Sequence, residues 1–210
     1  MTDLRLGPAS GGLEIRREGD GGVRLSGRFP YNSPAVLSDG GRAGRPVKEM
    51  IEPGAFAYSL EEADADIALL HGHSWDKPLA SRKAGTLTFR DTASALLIAA
   101  TIVPAVARST YASDALAQIE AGLAVGLSPG FRLPPERAVP RVEAEVIEDE
   151  PDRPEQGQHR AIIRRIRQAI LAEISVVSRP AYADATVEFA RDFSRAEPRQ
   201  AAAHLRRWRL

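Results

Sequence analysis

Residues 170–177 read ILAEISVV, an apolar run interrupted by Glu173 and Ser175. Alternation along an extended chain puts those two side chains on one face and Ile174 and Val176 on the other, so the segment is predicted to be a strand. The carboxylate poses the first functional question. Burying it without a partner is expensive, so Glu173 must face solvent, pair with another group or serve a site. A half-exposed barrel strand would explain it with no function attached.

Working outward, the chain offers short strands rather than long helices. Residues 23–29 (VRLSGRF) alternate apolar and polar, residues 67–71 form an apolar run ending in a histidine, and residues 86–89 and 95–103 resemble a hairpin joined at a polar turn. After Pro104 the pattern changes. Tyr111, Ala115, Leu116, Ile119 and Leu123 recur at helical spacing, with Ser109 or Thr110 placed to cap the helix and Gly122 to stop it. A second apolar run, residues 123–127, is closed by Ser128, Pro129 and Gly130. Ile162, Ile163, Ile166 and Ile170 fit a helix face, but isoleucine is also a good strand former, and periodicity leaves both open.

The 210 residues allow one substantial domain with tails. Residues 1–22 carry six glycines and little apolar content, a loose lead-in to a domain at 23–190. Within that domain, residues 134–158 hold five prolines and eight acids with few apolar groups, the composition of a mobile loop. Residues 191–210, rich in Arg and Ala, form a basic tail that is either a short helix or a solvated end. The 28 basic side chains balance 28 acidic ones, which suggests no nucleic-acid or other polyanion partner. The absence of cysteine removes disulfides, thiol nucleophiles and thiolate metal sites, and fits a reducing compartment. The longest apolar stretch, residues 93–106, contains Ser94, Thr101 and Pro104 and is too short for a bilayer, so no membrane association is expected. The first residues lack the charged-then-apolar pattern of a secretion signal, and a soluble intracellular protein is the default expectation.

Four histidines exist. His159 falls in the polar loop and His204 in the basic tail, where solvated surface accounts for them. His71 and His73 are two apart and would share a face if a strand continued through them, although Gly72 and the turn at Ser74, Trp75 and Asp76 interrupt it. A metal reading would need Asp76 as a further ligand; a blander one has a histidine capping a strand end. Ser128 follows an apolar run and precedes Pro129 and Gly130, which predicts a hydroxyl standing at a strand end. A nucleophile needs such exposure, and proline there removes one amide from any oxyanion hole. Serine before Pro-Gly is also a plain turn residue.

Four blocks in order resemble the prohead (procapsid maturation) protease family of tailed bacteriophages and gene transfer agents. They are IEPGAFAYSL (51–60), ALLHGHSWDKPLASRKAGTLTF (68–89), IEAGLAVGLSPGF (119–131) and LAEISVVSRPAYADATV (171–187). The resemblance spans about residues 25–190 and favours strand over helix at 162–170. It implies a mostly β (α+β) fold, a small closed antiparallel β-barrel with peripheral helices similar to herpesvirus assembly proteases. By the same resemblance Ser128 matches the nucleophile, His73 the general base, and Glu173 the group orienting the imidazole, with no cofactor or metal. The family usually has Asn before the histidine and Asp after it, where this chain has Gly72 and Ser74, so Asp76 is a second acidic candidate. The implied function is a serine endopeptidase that digests the scaffolding region of the major capsid protein, and its own chain, inside a procapsid assembling in the bacterial cytoplasm. Its partners would be that capsid protein and a second copy of itself, and residues 191–210 a removable targeting segment. Two readings compete with it: an inactive capsid-associated or scaffolding barrel, and a metal-dependent hydrolase built on His71, His73 and Asp76.

Overall fold

The computed structural model describes residues 13–41, 44–62, 65–124, 126–178 and 180. The chain opens with β1 (Leu13–Arg17), β2 (Val23–Pro30), β3 (Ala35–Ser38) and β4 (Val47–Ile51), then one helical turn, α1 (Ala57–Glu61). Two hairpins follow, β5 (Ala68–His71) with β6 (Ser74–Ser81), and β7 (Leu87–Asp91) with β8 (Ala95–Ile102). The helices α2 (Pro104–Ala107) and α3 (Thr110–Glu120) lead into β9 (Gly126–Arg132). Next come α4 (Arg141–Ala144), β10 (Glu145–Asp149), β11 (Asp152–Arg153), β12 (Gln158–His159), β13 (Ile162–Ile166) and β14 (Ile170–Val177).

These strands form three four-stranded sheets, ordered β1-β2-β8-β7, β10-β13-β4-β3 and β6-β5-β14-β9, with β11 and β12 as a separate ribbon. The expectation of a mostly β protein with helices is met. That of a closed antiparallel barrel is not: each sheet ends in strands with a single hydrogen-bonded neighbour among the described residues, and the pairings β13 with β4 and β14 with β5 are parallel. Closure would require every strand to have two such neighbours. Sheets instead meet through side chains. A Cβ added to Gly27 in β2 would lie 2.7 Å from Leu127 Cδ1 in β9, so only glycine lets these strands approach.

The core follows from alternation. In β2, Val23, Leu25 and Phe29 are buried while Arg24, Ser26 and Arg28 are exposed. The helix α3 buries Ala112, Ala115, Leu116 and Ile119, one face at helical spacing. Phe56 and Phe131 meet edge to face with centroids 5.9 Å apart. Each large side chain removed from water contributes about 2 kcal/mol. Gly122 stops α3 as expected. Its φ is +68°, and the bonds Leu123 N–H to Gln118 O (2.8 Å) and Gly122 N–H to Ile119 O (3.0 Å) complete a Schellman motif. Ser109 occupies the N-cap, but its hydroxyl donates backward to Val106 O at 2.7 Å rather than capping the helix.

Two segments are more ordered than their composition predicts. Within the lead-in, Leu13 and Ile15 are buried because β1 pairs with β2. The expected loop at 134–158 contains α4, β10, β11 and β12. Four of its acids meet cations from outside the segment, and Arg141 within it also holds Glu145. Glu145 is held by Arg141 and Arg164, Glu148 by Arg165 at 3.0 Å, Glu150 by Lys48 at 2.5 Å and Asp149 by Arg45 at 2.5 Å. Burial pushes the Glu145 and Glu150 carboxyls up, but Arg164 and Arg141 at the first, and Lys48 with the His159 and Ala161 amides at the second, outweigh it and hold both below the usual range. Residues 1–12 and the tail at 191–210 lie outside the described residues. Among the described residues, no helix is long and apolar enough to cross a membrane.

Candidate active site

The site is assembled on β14, which has β5 on one side and β9 on the other. The parallel register sets Glu173 opposite Ala68 and Val176 opposite His71. The chain then reverses through Gly72 and His73, and His71 pairs directly with Ser74. Both turn residues have positive φ, +63° for Gly72 and +59° for His73, the geometry of a tight two-residue hairpin. Glycine adopts it freely. Histidine does so at about 1–2 kcal/mol, so the turn needs support. Its main chain donates two bonds to β14: Gly72 N–H to Val176 O at 3.0 Å and His73 N–H to Ser175 Oγ at 2.9 Å.

This turn separates the two histidines. His71 Nε2 lies 3.2 Å from Gln118 Oε1 on α3, whereas His73 Nδ1 lies 2.7 Å from Glu173 Oε1. The shared face needed for a joint metal site is absent, Asp76 is exposed on β6, and no three ligating side chains cluster among the described residues. Glu173 is the carboxylate at the imidazole. It is only 4 % exposed, so of the alternatives open for it the half-exposed strand position is set aside and it is a buried, paired carboxylate. Its burial is compensated by two donors, the His73 ring and Ser175 Oγ–H, which reaches Oε2 at 2.6 Å. A carboxylate only accepts, so Nδ1 carries the proton in this pair; in the neutral imidazole that places the lone pair on Nε2, and the His73 side chain is 46 % exposed.

Ser128 enters from β9. The antiparallel register pairs Ser128 with Ser175 and Gly130 with Glu173, and cross-strand partners share a face. The serine and the imidazole therefore both border Ser175, one through strand pairing and the other through a hydrogen bond. Ser128 stands within β9, not at the strand end expected for it. Pro129 is tolerated because β9 is the edge of its sheet. Gly130 has a steric purpose: an added Cβ would sit 2.0 Å from Glu173 Oε1. A bulge between Leu171 and Glu173 lets Leu171 and Ile174 both enter the core while Glu173 faces the site.

Two participants escaped sequence reasoning. Alternation placed Ser175 on the face of Glu173 but assigned it no partner, and Gly130 read as a turn residue. The signal was the spacing itself, a glycine two residues after Ser128 and a serine two residues after Glu173.

The family model for Caudovirus prohead serine protease matches residues 31–199, a span that includes His73, Ser128 and Glu173. No curated protein and no solved structure matches the chain, so the expected likeness to herpesvirus assembly proteases rests on sequence resemblance alone. The match covers well over half of the 210 residues, and the chain belongs to the caudovirus prohead serine protease family.

Proposed function

We propose that the protein is a serine endopeptidase in which Ser128 is the nucleophile, His73 the general base and Glu173 the group that orients the imidazole. The observation carrying this reading is the 2.7 Å contact of His73 Nδ1 with a buried carboxylate, which leaves Nε2 free to accept a proton. In the first step Nε2 takes the Ser128 hydroxyl proton as Oγ attacks a peptide carbonyl. The imidazolium then protonates the leaving amine, and an acyl-enzyme remains. Water, deprotonated by the same nitrogen, hydrolyses that ester and returns Ser128 to its starting state. Glu173 holds the tautomer and faces the positive charge that appears on His73.

The substrate under this proposal is the scaffolding region of the major capsid protein, with the enzyme's own chain as a second target. Cleavage takes place inside the procapsid, in the bacterial cytoplasm. Family membership supports a capsid substrate, and extended scaffolding segments suit an endopeptidase. Co-expression with the cognate capsid protein, wild type against Ser128→Ala, followed by mass measurement of the capsid subunit, tests it. A shortened subunit with the wild type only is the expected result, with a rate loss of about a thousandfold or more in the variant. Full cleavage by Ser128→Ala rejects the assignment.

A further inference from the structure

Three hydrogen bonds form a ring that begins and ends at His73. Its backbone N–H donates to Ser175 Oγ at 2.9 Å, Ser175 Oγ–H donates to Glu173 Oε2 at 2.6 Å, and Glu173 Oε1 receives the His73 Nδ1–H at 2.7 Å. A hydroxyl has one proton and two lone pairs. With its proton committed to the carboxylate, Ser175 still accepts from the His73 amide, so a single oxygen joins the main chain of the strained turn to the group that aims its ring. Ser175 is fully buried, so its hydroxyl cannot meet a polypeptide and is no second nucleophile.

We infer that Ser175 is a positioning residue of this peptidase, acting through His73 and Glu173; the inference rests on the roles proposed above for Ser128, His73 and Glu173. Without the hydroxyl, the main chain of the turn would keep only the Gly72 bond to Val176 O of its two bonds to β14. Glu173 Oε2 would lose the donor that sets its rotation, and the terminal torsion of a glutamate is otherwise broad. Both changes displace Nε2 relative to β9, where Ser128 stands opposite Ser175. A misplacement of about 1 Å at a reacting group lowers the rate roughly a hundredfold.

The test uses the full chain with Ser175→Ala and the near-isosteric Ser175→Cys, assayed on a peptide spanning the junction cleaved in the capsid subunit, with Ser128→Ala alongside. Thermal melting identifies the folded variants, and if Ser175→Ala does not fold, Ser175→Cys supplies the readout. The expected result is a kcat lower by roughly tenfold to a hundredfold with KM changed less than about twofold, and a smaller loss in Ser175→Cys. The acid limb of the kcat/KM profile should move to higher pH, because a carboxylate relieved of one donor is more basic and holds the proton on His73 more strongly. Wild-type kcat and an unmoved acid limb in a folded Ser175 variant would overturn the inference while Ser128→Ala stays inactive. Activity in Ser128→Ala would instead overturn the reading beneath it.

Discussion

In the sheet β10-β13-β4-β3, Glu145 lies between Arg141 and Arg164, and Arg164 also holds Glu49 at 2.8 Å. In the sheet β6-β5-β14-β9, Glu173 is as deeply buried yet touches an imidazole and a hydroxyl. The first carboxylate faces permanent cations, so its interactions are complete in the resting protein and contribute to stability. The second meets a hydroxyl and an imidazole, and under the proposed mechanism the imidazole gains its charge when it takes the proton of Ser128. On that proposal its strongest attraction is reserved for the moment of reaction, the condition under which an interaction raises kcat rather than binding alone. Burial alone does not separate a structural carboxylate from a functional one. The chemistry of its partners does.

The sharpest way to break this contrast is to remove charge at both places. Glu173→Gln offers an amide where two donors converge, and cleavage of the capsid subunit should fall about a thousandfold, with stability changed by no more than about 1 kcal/mol. Glu145→Gln should do the reverse, losing about 2–3 kcal/mol in urea unfolding because Arg164 keeps only Glu49, with cleavage per folded molecule unchanged. An inactive Glu145→Gln beside an active Glu173→Gln would end the comparison.

A smaller effect is expected from Gly130→Ala. Its methyl must displace a carboxylate oxygen 2.0 Å away, which should lower the cleavage rate roughly tenfold to a hundredfold and destabilise by about 1–3 kcal/mol. Wild-type activity there would mean that the position of Glu173 matters little.

The smallest effect is a slope with pH. The Glu145 and Glu150 carboxyls lie below their usual range when folded. The unfolded chain therefore binds their protons more readily. Their contribution is complete above the ordinary carboxylate range, near pH 5, and disappears as pH falls through the lower folded values. Urea midpoints measured downward from about pH 5 should decline, and Glu150→Gln should flatten that decline. An unchanged slope in Glu150→Gln would remove Glu150 from the structural group.

Much of this was legible in the residues. The strand of β14 came from the alternation of ILAEISVV, that of β2 from VRLSGRF, and the end of α3 from Gly122, because each depends on neighbours within a few positions. Resemblance named His73, Ser128 and Glu173. The order within 134–158 was not legible, since a window rich in acid and proline reads as loop until Lys48, Arg45, Arg164 and Arg165 arrive from elsewhere. The same holds for β1, whose Leu13 and Ile15 acquire meaning only against β2. The face that His71 and His73 would share if a strand ran through them is absent, because positive φ at Gly72 and His73 makes a hairpin turn there.

By itself the sequence determined the local periods, the residue types available for acyl transfer and the exclusion of thiol chemistry, all properties of composition and of spacing within a turn or a strand. The tertiary structure decided that His73 meets Glu173 across 100 positions, that Ser175 joins them, and that sheets pack at Gly27 without closing a barrel. Register is the physical reason. Placing β14 between a parallel β5 and an antiparallel β9 is a choice among pairings that alternating strands leave open, and it is settled by which combination buries the core while giving the Glu173 carboxylate its donors.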